Sequence, residues 1–186
     1  MKKLFAFTLT LFCLSNLSAQ DYEQIKNQLT EIFEQNLKLR AGVMPIVQKY
    51  GFESPQMDSL NNQILAYDSM ALSEVTTIID NYGWLGISEI GITPNSALFI
   101  TIQHALDDAV RKKYFPLLKA SAEQGESSMA DMATMQDRIL INDGKDQIYG
   151  TQYQLVDNQK EYFPIQDIKN VNKRRRKVGL KKIKVD

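Results

Sequence analysis

The chain has 186 residues, with 22 Lys plus Arg against 22 Asp plus Glu, one His and one Cys. A single cysteine excludes a disulfide framework, and one cysteine with one histidine leaves too few soft ligands for a structural zinc site. Residues 20–168 carry about 11 basic and 21 acidic side chains, whereas residues 169–186 carry nine basic and one acidic. An acidic body with a basic tail is expected to attract that tail to itself.

Lys2 and Lys3 precede an apolar run, Leu4 to Leu14, interrupted only by Thr8 and Thr10, and Ser18-Ala19 stands before Gln20. This is the layout of a cleaved secretory signal. The run is well short of the roughly 20 apolar residues that a membrane span needs. Cys13 follows bulky Phe12 inside the run, where a lipid-attachment site wants a small residue. The expectation is an exported protein, periplasmic or extracellular, with no stable membrane insertion after cleavage. Residues 1–19 would be the signal, 20–180 one helical domain and 181–186 a short basic tail. The mature length suits one domain with a core that needs no covalent staple.

From Asp21 to about Tyr50, apolar residues Tyr22, Ile25, Leu29, Ile32 and Phe33 recur at three- and four-residue steps, predicting a helix. Gly42 and Pro45 should break or kink it. A second helix is expected from about Gln56 to Tyr82, with Met57, Leu60, Ile64, Tyr67, Ala71, Val75 and Ile78 on its apolar face and Gly83 as its stop. Trp84 to Gly91 reads as a glycine-rich loop with Trp84 as a core plug. A third helix, capped at Thr93 or Asn95, is expected to reach Tyr114 and to carry His104.

Pro116 should open a short helix ending at Gly125, and Ser128 should cap another running through Ile141. The period then becomes two. Gln147 to Leu155 and Glu161 to Ile165 are expected to pair as a hairpin turning at Asp157-Asn158. A last helix is expected from Asp167 to about Val178. The fold class is therefore mainly α, a single helical domain with a small C-terminal β-hairpin.

Directional polar groups gather in Gln103-His104-Ala105, Asp137-Arg138 and Gln147-Ile148-Tyr149-Gly150-Thr151-Gln152. On a helix, Thr101, Asp107, Asp108 and Arg111 lie on or near the His104 face. An aspartate there would orient the imidazole and raise its pKa, as a general base requires. The other reading is a structural histidine bonded to a carboxylate or a carbonyl. Asp137 and Arg138 point about 100° apart on a helix and must find different partners. Arg138 would clamp an anion bidentately, or else tie its helix to the body or the hairpin.

Along a strand, Tyr149 and Thr151 would face one side and Gly150 and Gln152 the other. Glycine there implies a bulge or a close backbone approach. Gln147, Tyr149 and Gln152 offer neutral donors and acceptors for a polar organic group. No loop has calcium-site spacing, and neither a metal nor another cofactor is expected. There is no Gly-x-Ser-x-Gly elbow and no glycine-rich phosphate loop. Lys173-Arg174-Arg175-Arg176-Lys177 would elsewhere suggest nucleic acid or an anionic membrane. Beside an acidic body, docking to that body is the better expectation, and no nucleic-acid partner is expected.

Asp68-Ser69, Tyr82-Gly83-Trp84-Leu85-Gly86, Gln103-His104-Ala105, Lys113-Tyr114-Phe115-Pro116-Leu117-Leu118, Asp137-Arg138, Gln147 to Gln152, and Arg174-Arg175 with Val178-Gly179-Leu180 occur in this order. Together they resemble a bacterial domain family of unknown function over most of the chain beyond the signal. The resemblance implies no established activity, substrate or cofactor. The chain departs from it where Asn36-Leu37 precedes Arg40 in place of Asp-Gln, and where Leu106 replaces an acidic residue after His-Ala. A role that needs a carboxylate at either place is in doubt here.

Three functional readings follow from these residues. The first is binding of a small polar or anionic ligand near His104, Asp137, Arg138, Gln147, Tyr149 and Gln152. The second is a structural or partner-binding module whose polar residues form an internal network. The third is a hydrolase or lyase with His104 as general base and Arg138 holding the developing anion.

Overall fold

The computed structural model describes residues 19–156 and 159–184. The expected signal, save its last residue, and the expected turn residues Asp157 and Asn158 lie outside them, as do the final two residues of the tail.

Helix α1 (Ala19–Ala41) ends at Gly42, and α2 (Val43–Tyr50) follows directly, so the expected break falls at the glycine. Helix α3 (Pro55–Tyr82) starts where the Ser54 hydroxyl accepts the Met57 amide at 3.2 Å, and it stops at Gly83. Ile25, Leu29 and Ile32 of α1 pack with Ala71, Val75 and Ile78 of α3, each at most 7% exposed. Burying each large side chain of this seam stabilises the fold by about 1.5–3 kcal/mol.

The expected loop around Trp84 holds one helical turn, α4 (Ile87–Ile90). Its open amides are taken by carboxylates: Glu89 accepts Gly86 N at 2.7 Å and Glu126 accepts Ser88 N at 2.8 Å. Trp84 is buried, as a plug should be, and its indole donates to Ser127 Oγ.

Three expected helix boundaries are wrong, the first being the cap at Thr93 or Asn95, since the helix already starts at Ile92 after Gly91. Helix α5 (Ile92–His104) ends at the histidine instead of running to Tyr114, and α6 (Asp108–Glu123) begins four residues later. The reason is local. The Asp107 carboxylate accepts Ala109 N at 2.8 Å as an N-cap, and the Arg111 guanidinium takes up the Gln103 and Ala105 carbonyls that α5 leaves open. Pro116 does not start a helix but lies inside α6, where buried Tyr114, Leu118 and Ala122 outweigh the missing amide. Asn95, expected as a possible cap, is buried and ties Leu85, Glu126 and Ser127 together.

Helix α7 (Met129–Asn142) packs along α6, and Ser128 caps it as expected by accepting Asp131 N. The hairpin is shorter than alternation implied. Strands β1 (Tyr153–Val156) and β2 (Gln159–Tyr162) pair antiparallel, with Tyr153 opposite Tyr162. Gln147 makes one isolated parallel bridge with Ile165, and residues 148–151 form no ladder because Asp137 captures the amides of 148, 149 and 151, as described below. A 3₁₀ turn (Ile168–Asn170) leads into α8 (Val171–Lys177) in place of one continuous helix.

The tail docks chiefly through carbonyls rather than acids. Arg174 donates to the carbonyls of Ile148, Gln166 and Asp167, and its contact with the Asp167 carboxylate is 3.5 Å. Among the described residues no helix is long and apolar enough to cross a membrane.

Candidate functional site

Two buried polar clusters meet at Arg138. The first is built on Asp137, which is fully buried. Its carboxylate accepts Ile148 N at 2.7 Å, Tyr149 N at 3.0 Å, Thr151 N at 3.0 Å and Thr151 Oγ1 at 2.9 Å. Gln147, also fully buried, donates from Nε2 to the Gln152 and Phe163 carbonyls and accepts Gln152 N at 2.8 Å. Segment 147–152 is thus a loop moulded around two side chains.

Gly150 adopts φ +66°, and a Cβ there would lie 2.8 Å from both the Ile165 and Ile183 methyls. The close backbone approach inferred from the sequence is therefore to two isoleucines. Tyr149 packs against the core, and burial followed by the Asp137 charge raises its phenol pKa. Its hydroxyl has no hydrogen-bond partner among the described residues.

The second cluster surrounds His104 at the end of α5, where charges from Arg40 of α1, Asp68 of α3, Arg111 of α6 and Arg138 of α7 are felt together. Arg138 Nε donates to Gln152 Oε1 at 3.2 Å, and Nη1 donates to the Gln103 carbonyl at 3.3 Å. Among the described residues it has no carboxylate partner. The two neighbouring guanidinium groups do: Arg40 donates to Asp68 at 2.7 Å and Arg111 to Asp108 at 2.9 Å. Cations at the carboxyl end of α5 also complement its dipole.

His104, the only histidine, sits among these charges. Burial, then the Arg40 guanidinium with those of Arg138 and Arg111, drives its pKa down to about 4 against an upward pull from Asp68. The expected aspartate partner is absent, because Asp107 caps α6 and Asp108 serves Arg111, Lys112 and Asn142. The imidazole is therefore neutral at pH 7, and its pKa is lowered rather than raised.

Asn36 extends the buried α1 series Ile25, Leu29, Ile32 and is itself 0% exposed. Neither its amide oxygen nor its amide nitrogen has a hydrogen-bond partner. One turn along, Arg40 Nη1 is also buried and unpartnered. On α5, Thr101 Oγ1, one turn before His104, is in the same state, as is Gln103 Oε1. Such atoms are uncommon in folded proteins, and each costs about 1–3 kcal/mol when left unmet.

Of the residues singled out from the sequence, Asp137, Arg138, Gln147, Tyr149 and Gln152 form one connected network, and His104 adjoins it through Arg138 and Gln103. Asn36, Arg40, Asp68, Thr101 and Arg111 were not assigned to the site. One signal for them was available: an asparagine at a position where the helical period demands an apolar side chain. No three His, Cys, Asp or Glu side chains gather as metal ligands among the described residues.

Fold and site together define a mainly helical domain with a polar loop bonded to Asp137 and Gln147, next to an incompletely bonded, cation-rich cluster. The chain belongs to the family of unknown function DUF6624, whose model matches residues 22–185. No curated protein and no solved structure matches it.

Proposed function

We propose that the protein binds a small anionic ligand beside His104, where the Arg40 and Arg138 charges are both felt, with Arg138 as the principal cation. The observation that carries this reading is Asn36, sealed from solvent with both amide atoms unpaired one turn from an unpaired Arg40 nitrogen. A water molecule would meet some of these atoms. It would not balance the Arg138 charge, which favours an acceptor-rich anion such as a carboxylate or a phosphate. Asp137, Gln147 and Gln152 spend their polar atoms on the loop and on Arg138, so in this reading they position the guanidinium rather than touch the ligand. Catalysis by His104 has less support, because a base with a pKa of about 4 attracts a proton weakly.

A single histidine gives a single imidazole signal, so its NMR titration reports directly on this site. The probes are succinate and inorganic phosphate. A bound anion offsets the guanidinium charges, so the His104 pKa should rise by about one unit or more. The melting temperature should rise with it, and Arg138→Ala should abolish both effects. An imidazole titration unmoved by either probe would remove the basis for this assignment.

We also infer export, on the strength of Lys2, Lys3, the Leu4 to Leu14 run and Ser18-Ala19. Protein recovered from producing cells should begin at Gln20 by mass. Recovery with Met1 retained would count against export by a cleaved signal.

A further inference from the structure

A cleft away from the Arg138 site lies between the hairpin, α7, α8 and the C-terminal strap (residues 180–184). Its volume is about 490 Å³, and among the described residues none that lines it is acidic. Five are cationic: Lys160, Arg175, Lys181, Lys182 and Lys184. We propose that this cleft is a binding site for a small, multiply charged phosphate-bearing anion.

The site is built rather than merely charged. Arg175 is 7% exposed and is fixed by its donations from Nε to the Lys181 carbonyl and from Nη1 to the Tyr149 and Gly150 carbonyls. Those bonds leave Nη2 without a partner among the described residues, on a side chain that lines the cavity. The strap cannot swing freely. Asn172 clamps Ile183 from both sides, donating to its carbonyl and accepting its amide at 2.9 Å each, and the Ile183 methyl fills the space above Gly150. The exposed lysines on either side of Ile183 are therefore held at the cleft mouth.

On the facing hairpin, Tyr153, Leu155, Lys160 and Tyr162 share one side through the strand register, while Glu161 points to the other. Tyr153 and Tyr162 meet edge to face at 5.8 Å, and Lys160 Nζ lies 4.2 Å above the Tyr153 ring. The cleft thus joins an aromatic wall to cations that, among the described residues, have no carboxylate counterion within it. Its volume falls in the range of small-molecule sites. A monoanion would leave most of that charge unbalanced, whereas a pyrophosphate-type group meets several cations at once.

Inorganic pyrophosphate is the probe, titrated calorimetrically into the full chain, with sulfate at matched ionic strength as reference. Pyrophosphate should bind at least about tenfold more tightly than sulfate. Lys181→Gln/Lys182→Gln/Lys184→Gln, all on the exposed strap, should weaken it by about tenfold or more without lowering the melting temperature. Arg138→Ala should leave pyrophosphate binding intact, which separates this cleft from the site proposed above. Equal affinities for pyrophosphate and sulfate would overturn the proposal. So would loss of binding in Arg138→Ala with retention in the triple variant. Binding of a single-stranded oligonucleotide or an acidic peptide without binding of pyrophosphate would also overturn it, replacing the small anion with a macromolecule.

Discussion

Around Asp137 four donors converge on one carboxylate, and the neighbouring glutamine uses both ends of its amide. Around Asn36, under comparable burial, an amide, a guanidinium nitrogen and a hydroxyl are left without partners. Both clusters draw on polar residues set among apolar ones, and only their bonding separates them. Where the buried carboxylate and amide are satisfied, the group specifies structure: it bends 147–152 away from a strand and aims Arg138. Where several remain open in one place, stability has been given up, and the proposed anion site rests on that cost.

That contrast is most severely tested at Asp137. Asp137→Ala would strand three half-buried amides and a hydroxyl, so a loss of about 3–5 kcal/mol is expected in urea unfolding, with faster hydrogen exchange at residues 148, 149 and 151. A cost below about 1 kcal/mol would mean that the loop holds its shape without the carboxylate.

A smaller effect should appear with pH. Folded His104 keeps a proton only below about 4, against 6.5 for an unperturbed imidazole. As pH falls the unfolded chain protonates first, so stability is complete above about 6.5 and is lost progressively towards 4. Partial exposure limits the loss to about 1–3 kcal/mol. Asp131 acts in the opposite sense, since burial raises its pKa from 3.8 to about 6 despite the Ser128 hydrogen bond, and stability falls as pH rises through that interval. His104→Gln should therefore abolish the acid-side loss and leave the Asp131 slope visible in urea midpoints measured across the window.

The smallest change in stability, and the sharpest discrimination, is expected from Asn36→Leu. Replacing an unpartnered buried amide with an apolar side chain of similar size should alter stability by no more than about 1 kcal/mol, towards greater stability if at all. The anion-induced shift in melting temperature should nevertheless disappear. A loss like that of Asp137→Ala would place Asn36 in the same satisfied class and erase the distinction between the clusters.

Much of this was readable from local pattern. The α1 and α3 seams, the Gly42 break, the Ser128 cap and the Trp84 plug follow from spacing and capping chemistry within a few residues. The end of α5 did not, because the period read Asp107 and Arg111 as part of one continuing helix, whereas Asp107 caps Ala109 N and Arg111 takes the Gln103 and Ala105 carbonyls. The strand expected from Gln147 failed for a longer-range reason: alternation was present, but a carboxylate one helix away took the ladder amides. At the site, the polar landmarks were visible as words in the chain, yet their division into bonded and unbonded was not.

Periodicity and end-capping depend on neighbours within about one helical turn, so the linear chain by itself fixed the helical class, the C-terminal hairpin and the family. Hydrogen-bond satisfaction and desolvation depend on groups brought together from distant segments. Only the packed molecule could therefore decide that Asp137 is spent on the backbone, that His104 is neutral among three guanidinium groups, and that Asn36 is left unanswered.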